Sequence, residues 1–272
     1  MDLRNEKGVM MPDFVKQYEE LEECFEKEVK RDRDKCKDTV YVPPFIRPSC
    51  QADYIFIAME PSLTTKWAGS TPKRKGGEAA VNKGYRSFMP GSLGVCILHY
   101  CAKKYLCTEG QTYYITDMSK GAMPVKRAKH GRKERWEGWF PLLEKELKLV
   151  AREDATVFAI GRDVADFLTQ KRVQGKFDYK PVYLLHHSDR NTRARKEFVA
   201  GRKPEFKEFK RNVTEKDLKD FASALLSEAG TEWAITKSKK RLERQKLSDS
   251  RKMLIFCYKN TFEGCKRNKQ LK

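Results

Sequence analysis

The run from Ala52 to Ser62 constrains this chain most: Ile55, Phe56 and Ile57 stand between turn signals, and the run stops abruptly at Glu60-Pro61. A short apolar stretch bounded in this way reads as a buried strand that delivers a carboxylate at its C-terminal end. The pattern recurs. Tyr113–Thr116 ends at Asp117, Thr156–Ile160 turns at Gly161, and Val182–Leu185 ends in His186-His187-Ser188-Asp189. Helical patterns lie between these strands: 92–106, a stretch with Trp136, Trp139, Phe140, Leu143 and Leu147, and one with Val164, Phe167 and Leu168. Such alternation predicts the α/β class, a three-layer α/β/α sandwich with a central, mostly parallel four-stranded sheet. Ligands of open α/β sheets bind beyond the carboxyl ends of the strands, where Glu60, Asp117 and His186 fall.

The rest of the chain divides around that core. Residues 12–35 read as a charged amphipathic helix with Phe14, Tyr18, Leu21, Phe25 and Val29 at helical spacing. Tyr41–Pro48, with three prolines, is extended. Residues 63–92 and 119–135 read as long loops, the second strongly basic, and 214–229 as a helix. The basic stretch 236–252 is a helix or an arm, and Met253–Tyr258 is strand-like with no assigned place. The expected domains are a helical extension over 1–40, an α/β domain over 41–235 and a basic extension over 236–272.

Charge narrows the partners. The chain has 57 Lys and Arg against 38 Asp and Glu, a net charge of +19. Residues 101–272 hold 41 of the basic and 23 of the acidic groups, so nearly all of the excess, 18 of 19, lies in the last two-thirds. A polyanion is the expected partner, nucleic acid before a membrane surface. No apolar run approaches the ~20 residues that span a bilayer, and no signal peptide opens the chain, so a cytoplasmic, nucleoid-associated protein is expected. Its eight cysteines include no C-x-x-C pair, which argues against a zinc or iron–sulfur site; no metal and no cofactor are expected.

The motifs, taken in order, are specific where each alone is not. Ala58-Met59-Glu60-Pro61-Ser62 resembles the first motif of the uracil-DNA glycosylase superfamily, in which a strand is followed by a catalytic Asp or Asn and then Pro. His186-His187-Ser188 is similar to that family's second motif, a His-Pro-Ser loop that also closes a strand. Tyr114–Asp117 resembles the strand whose terminal Asn reads the base. Ser87-Phe88 and Ser92-Leu93 resemble the segment that supplies a base-stacking Phe and a phosphate-pinching Ser, and Ala159-Ile160-Gly161 the strand-turn before the penultimate helix. The resemblance covers roughly residues 40–230. The chain departs from it at Glu60, Ala58 and His187, which replace Asp or Asn, Gly and Pro.

The resemblance implies a monofunctional glycosylase that flips a base out of double-stranded DNA and hydrolyses its N-glycosidic bond, working as a monomer away from membranes. Glu60 would stabilise the cationic sugar and activate water, and His186 would hold the developing negative charge of the base. Met59, Ser62, Phe88 and Asp117 would line the base pocket. Ser92, Lys120, Lys126, Arg127, His187, Ser188, Arg190, Asn191 and Arg193 would contact DNA. An ionised Asp117 only accepts hydrogen bonds, so it faces the amine of a cytosine better than the O4 of uracil. Ser62 stands where uracil enzymes carry Tyr and leaves room at the C5 edge. Together they point to a 5-modified cytosine, hydroxymethylated or glucosylated as in some phage DNA, and to antiphage defence. Cytosine N3 gains nothing from a carboxylate unless one partner is protonated, a choice the residues leave open. So do the alternatives of a uracil or deaminated-base repair enzyme, or an inactive DNA-binding member of the fold. Asp117 also reads as a helix cap or a partner for Lys120, Phe88 as core, and Trp136 and Trp139 as packing.

Overall fold

A computed structural model of the chain describes residues 12–63, 73–188 and 191–270. The chain opens on α1 (Pro12–Lys35), then β1 (Val40–Tyr41), β2 (Ala52–Ala58), β3 (Ser62–Leu63) and α2 (Lys73–Asn82). Next come α3 (Leu93–Cys101), which runs into a π-helical turn to Leu106, then β4 (Tyr113–Asp117), β5 (Gly121–Pro124) and α4 (Val125–Ala128). The helix α5 (Arg132–Val150), β6 (Ala151–Ile160), α6 (Arg162–Val173) and β7 (Val182–Leu184) follow. Five helices close the described chain: α7 (Thr192–Ala200), α8 (Lys203–Phe209), α9 (Glu215–Ala229), α10 (Glu232–Glu243) and α11 (Asp249–Gln270). The chain forms two compact units, one of Met1–Ser87 with Thr112–Tyr183, the other of Phe88–Gln111 with Leu184–Lys272.

The fold class is the one the strand–helix alternation predicts: an all-parallel four-stranded sheet flanked by helices. Its strand order is β4-β2-β6-β7, with β2 parallel to both β4 and β6. Every residue of β2 is buried, because a parallel sheet is covered on both faces. Ile55 and Ile57 join Phe14 and Tyr18 of α1, Trp136 and Phe140 of α5 and Val164 and Leu168 of α6 in one apolar cluster. The intervening Phe56 stacks on Phe158 at 4.9 Å between ring centres. From β2 the chain goes out to β4 and returns to β6 on the other side, so the crevice between the ends of β2 and β6 is the topological switch point. Glu60 follows β2 at that point.

Three local readings change. The stretch expected as one loop over 63–92 contains α2, whose Gly76 and Gly77 are both buried. Two consecutive glycines read as a breaker, and tertiary packing overrides that propensity here. The expected loop 119–135 contains β5, which is buried throughout and forms a small second sheet, antiparallel to β1 and parallel to β3. Met253–Tyr258, strand-like by composition, is the middle of α11. Leu254 through Tyr258 are all at most 4% exposed, and a short apolar run buried on every side has no period that separates helix from strand. Among the described residues no helix is long and apolar enough to cross a membrane.

Candidate functional site

Glu60 is placed by the end of β2 and then held by α5. Arg132 donates to Glu60 Oε1 from both Nε (3.1 Å) and Nη2 (2.8 Å). Trp136 Nε1 donates to Oε2 at 3.3 Å, with Arg135 Nη2 3.6 Å from the same oxygen. The carboxylate is 4% exposed, so two guanidinium groups provide the counter-charge that its burial requires. Arg132 also bonds Asp163 at 3.1 Å, on the first turn of α6. Nothing in the local sequence announces Arg132 as the partner of Glu60; it belongs to a basic run that reads as solvated.

Asp117 ends β4 and pairs in register with Ala58 of β2. Its side chain is buried, 3% exposed, and its Oδ2 accepts a hydrogen bond from Ser87 Oγ at 2.6 Å. The nearby cation, Lys120, is turned elsewhere: its ammonium donates to the backbone oxygen of Asp117 and to Glu146 Oε2, both at 2.8 Å. Burial therefore dominates and raises the Asp117 carboxyl to about 7, with Glu60 and Glu146 adding to the rise and Ser87 and Lys120 opposing it. Ser119, between Asp117 and Lys120, keeps a buried hydroxyl with no hydrogen-bond partner among the described residues.

Lys120, expected on the DNA-facing surface, is corrected by its burial. It is 3% exposed and ion-paired with Glu146, which is fully buried and also accepts from Tyr114 and Thr116. A buried, paired ammonium cannot reach a phosphate. Lys126 and Arg127 do lie on the surface, on α4. Met59 packs against the main apolar cluster, and Trp136 and Trp139 are core residues at 1% exposure each.

The second unit carries the histidine loop. His186 lies two residues beyond β7, and its Nδ1 accepts the backbone N–H of Ser188 at 3.0 Å. Burial first, then the charge of Arg195, lowers its pKa, so the ring is neutral with its proton on Nε2. The loop is braced from α7, its N-cap residue and α11. Arg195 of α7 donates to Ser188 O at 2.6 Å, Asn191 Nδ2 donates to His186 O at 3.0 Å, and Tyr258 Oη of α11 donates to Leu185 O at 2.6 Å. His187 stacks on His186 with ring centres 4.3 Å apart and lies edge-on to Phe88 at 6.3 Å. Burial, with His186 and Arg195 beside it, pushes His187 down to about 3. A Cβ on Gly94, in the first turn of α3, would stand 3.1 Å from His187 Cδ2, so a larger residue there requires the ring to give by a few tenths of an ångström.

Phe88 is the one non-glycine residue with positive φ among those described, at 56°. That conformation costs about 1–3 kcal/mol and persists only where its surroundings impose it. His99 of α3, 1% exposed, stands with Nε2 2.8 Å from Phe88 O. A carbonyl only accepts, so Nε2 carries the proton, and burial lowers the ring to about 4. Replacing His99 by alanine is expected to cost about 1–3 kcal/mol of unfolding free energy, read from the urea midpoint, because a part-buried carbonyl loses its donor.

Ser92 caps α3, its Oγ accepting from Val95 N at 3.4 Å. Arg193 is exposed and pairs with Glu197. Arg190 and the side chain of Ser62 lie outside the described residues. Sequence reading passed over Ser87 as a partner of Asp117, and over Arg132, Arg195, Tyr258 and His99. Ser87, Arg132 and Tyr258 reach partners 30, 72 and 73 positions away, whereas His99 and Arg195 act over 11 and 7. No family model, curated protein or solved structure matches this chain.

Proposed function

We propose that this protein is a DNA glycosylase that flips a base from double-stranded DNA and hydrolyses its N-glycosidic bond, with a 5-modified cytosine as substrate. The observation that carries the reading is His186. With Nδ1 engaged by Ser188 N–H, the neutral imidazole presents a single donor, Nε2–H, the group needed to receive the charge of a departing base. In the reaction the C1′–N1 bond breaks and its electron pair goes to the base, whose oxygen takes the His186 hydrogen bond. Water adds to C1′ and its proton ends on the departing base, which leaves neutral, with Glu60 as the anionic group that orients the water and offsets the cationic sugar. Phe88 supplies a stacking ring in a constrained backbone. The basic surface, including Lys126 and Arg127, provides phosphate contacts, and cytosine is selected by Asp117.

The test is release of free base from duplexes carrying uracil, cytosine, 5-hydroxymethylcytosine or its glucosylated form. Release confined to the modified cytosines is the expected result, and efficient uracil release overturns the assignment of substrate. A second reading is favoured by one observation: Arg132 and Trp136 occupy both oxygens of Glu60, as they would in a structural ion pair of a DNA-binding protein without turnover. Absence of release from every duplex, with DNA binding intact, selects that reading.

A further inference from the structure

We infer that Asp117 reads its base as a neutral carboxylic acid, donating from Oδ1–H to N3 of a cytosine-type base while Oδ2 accepts the exocyclic N4–H. The inference deepens the proposed function and rests on it.

The geometry of the carboxyl group argues for the neutral form. A carboxylate buried to this extent keeps its charge only beside a cation or several N–H donors. Among the described residues, the side-chain donor to Asp117 is the Ser87 hydroxyl on Oδ2, a neutral group. The cation within reach, Lys120, is already committed to Glu146, Thr116 and the Asp117 backbone oxygen. The charged groups of the neighbouring elements add to the pressure. Glu60 after β2 and Glu146 of α5 both oppose a further negative charge, and Lys120 alone favours it. The carboxyl accordingly titrates at about 7 rather than in the usual carboxylate range.

A neutral acid has one donor and one acceptor on adjacent oxygens, and cytosine has the matching pair, an N3 acceptor beside an N4 donor. Uracil offers the reverse order, an N3 donor beside an O4 acceptor. Ser87 decides how the acid is presented. By donating to Oδ2 it marks that oxygen as the acceptor and leaves Oδ1 to carry the proton. The second lone pair of Oδ2 remains for N4–H. An ionised Asp117 leaves N3 without a donor, a buried mismatch that opposes base entry.

The sign of the pH effect follows. The productive form is the protonated one, so excision is retained below the Asp117 value and falls about tenfold per pH unit above it. The experiment is single-turnover release of 5-hydroxymethylcytosine from duplex DNA between pH 6 and 9, on the wild type, Asp117→Asn and Ser87→Ala. The wild type is expected to lose activity as pH rises through about 7. In Asp117→Asn the amide always carries a donor and an acceptor, so the alkaline fall disappears. In Ser87→Ala the hydroxyl that lowers the Asp117 value is gone, so the fall moves to higher pH. A wild-type profile that is level or rises from pH 7 to 9 overturns the neutral-acid reading and leaves the glycosylase assignment standing. So does an alkaline fall that persists in Asp117→Asn. No release by the wild type at any pH overturns both.

Discussion

Replacement of Glu60 by glutamine is expected to lower base release by about 10²–10⁴-fold while DNA affinity stays within a factor of two or so. The amide keeps the shape of the side chain and one acceptor oxygen, which serves Arg132, while its NH2 replaces the oxygen that accepts from Trp136, so the fold survives with some loss of stability. What is lost is the negative charge that, in the proposed mechanism, orients water and offsets the cationic sugar. DNA affinity is indifferent because the Glu60 side chain is 4% exposed and makes no part of the basic surface. Single-turnover release and a filter-binding titration, run on the same preparation, separate the two quantities. A structural role for the Arg132–Glu60 pair gives the opposite pattern: a lower melting temperature with release unchanged per folded molecule. That result would remove Glu60 from the mechanism.

Glu146→Ala is expected to destabilise the protein by about 3–5 kcal/mol. Glu146 accepts from Tyr114 Oη at 2.8 Å, Thr116 Oγ1 at 2.9 Å and Lys120 Nζ at 2.8 Å, all without access to water. Tyr114 in turn bonds Tyr18 Oη at 2.7 Å, which ties α1 to β4. Alanine leaves a buried ammonium without its counter-charge and takes an acceptor from two buried hydroxyls, which outweighs whatever the ion pair gains by itself. A large fraction of the stability of a typical domain is at stake, so the urea midpoint should fall by more than about 1 M. Lys120→Met combined with Glu146→Leu should recover most of the loss, because removing both charges removes the desolvation cost. A Glu146→Ala variant within about 1 kcal/mol of the wild type would show that the network contributes little.

The same residues show how far the chain can be read without coordinates. The apolar runs of β2, β4 and β6, each closed by Glu60, Asp117 or Gly161, were legible because a two-sided parallel sheet demands continuous burial and a turn at its end. The helices α1, α5 and α9 were legible from their 3.6-residue period. α2 and α11 were not, because paired glycines and an all-round apolar run both erase that period.

Sequence alone determined the fold class and which residue types stand at the strand ends. It also determined the net charge of +19. The tertiary structure decided their states. It turned Lys120 inward to Glu146, clamped Glu60 with Arg132, left Asp117 buried beside a serine, and set the His186 tautomer through a backbone N–H. Periodicity and turn chemistry are local and are written in adjacent residues. Ionisation and hydrogen-bond polarity depend on neighbours 30 or 72 positions away in the chain, which only the folded chain brings within reach.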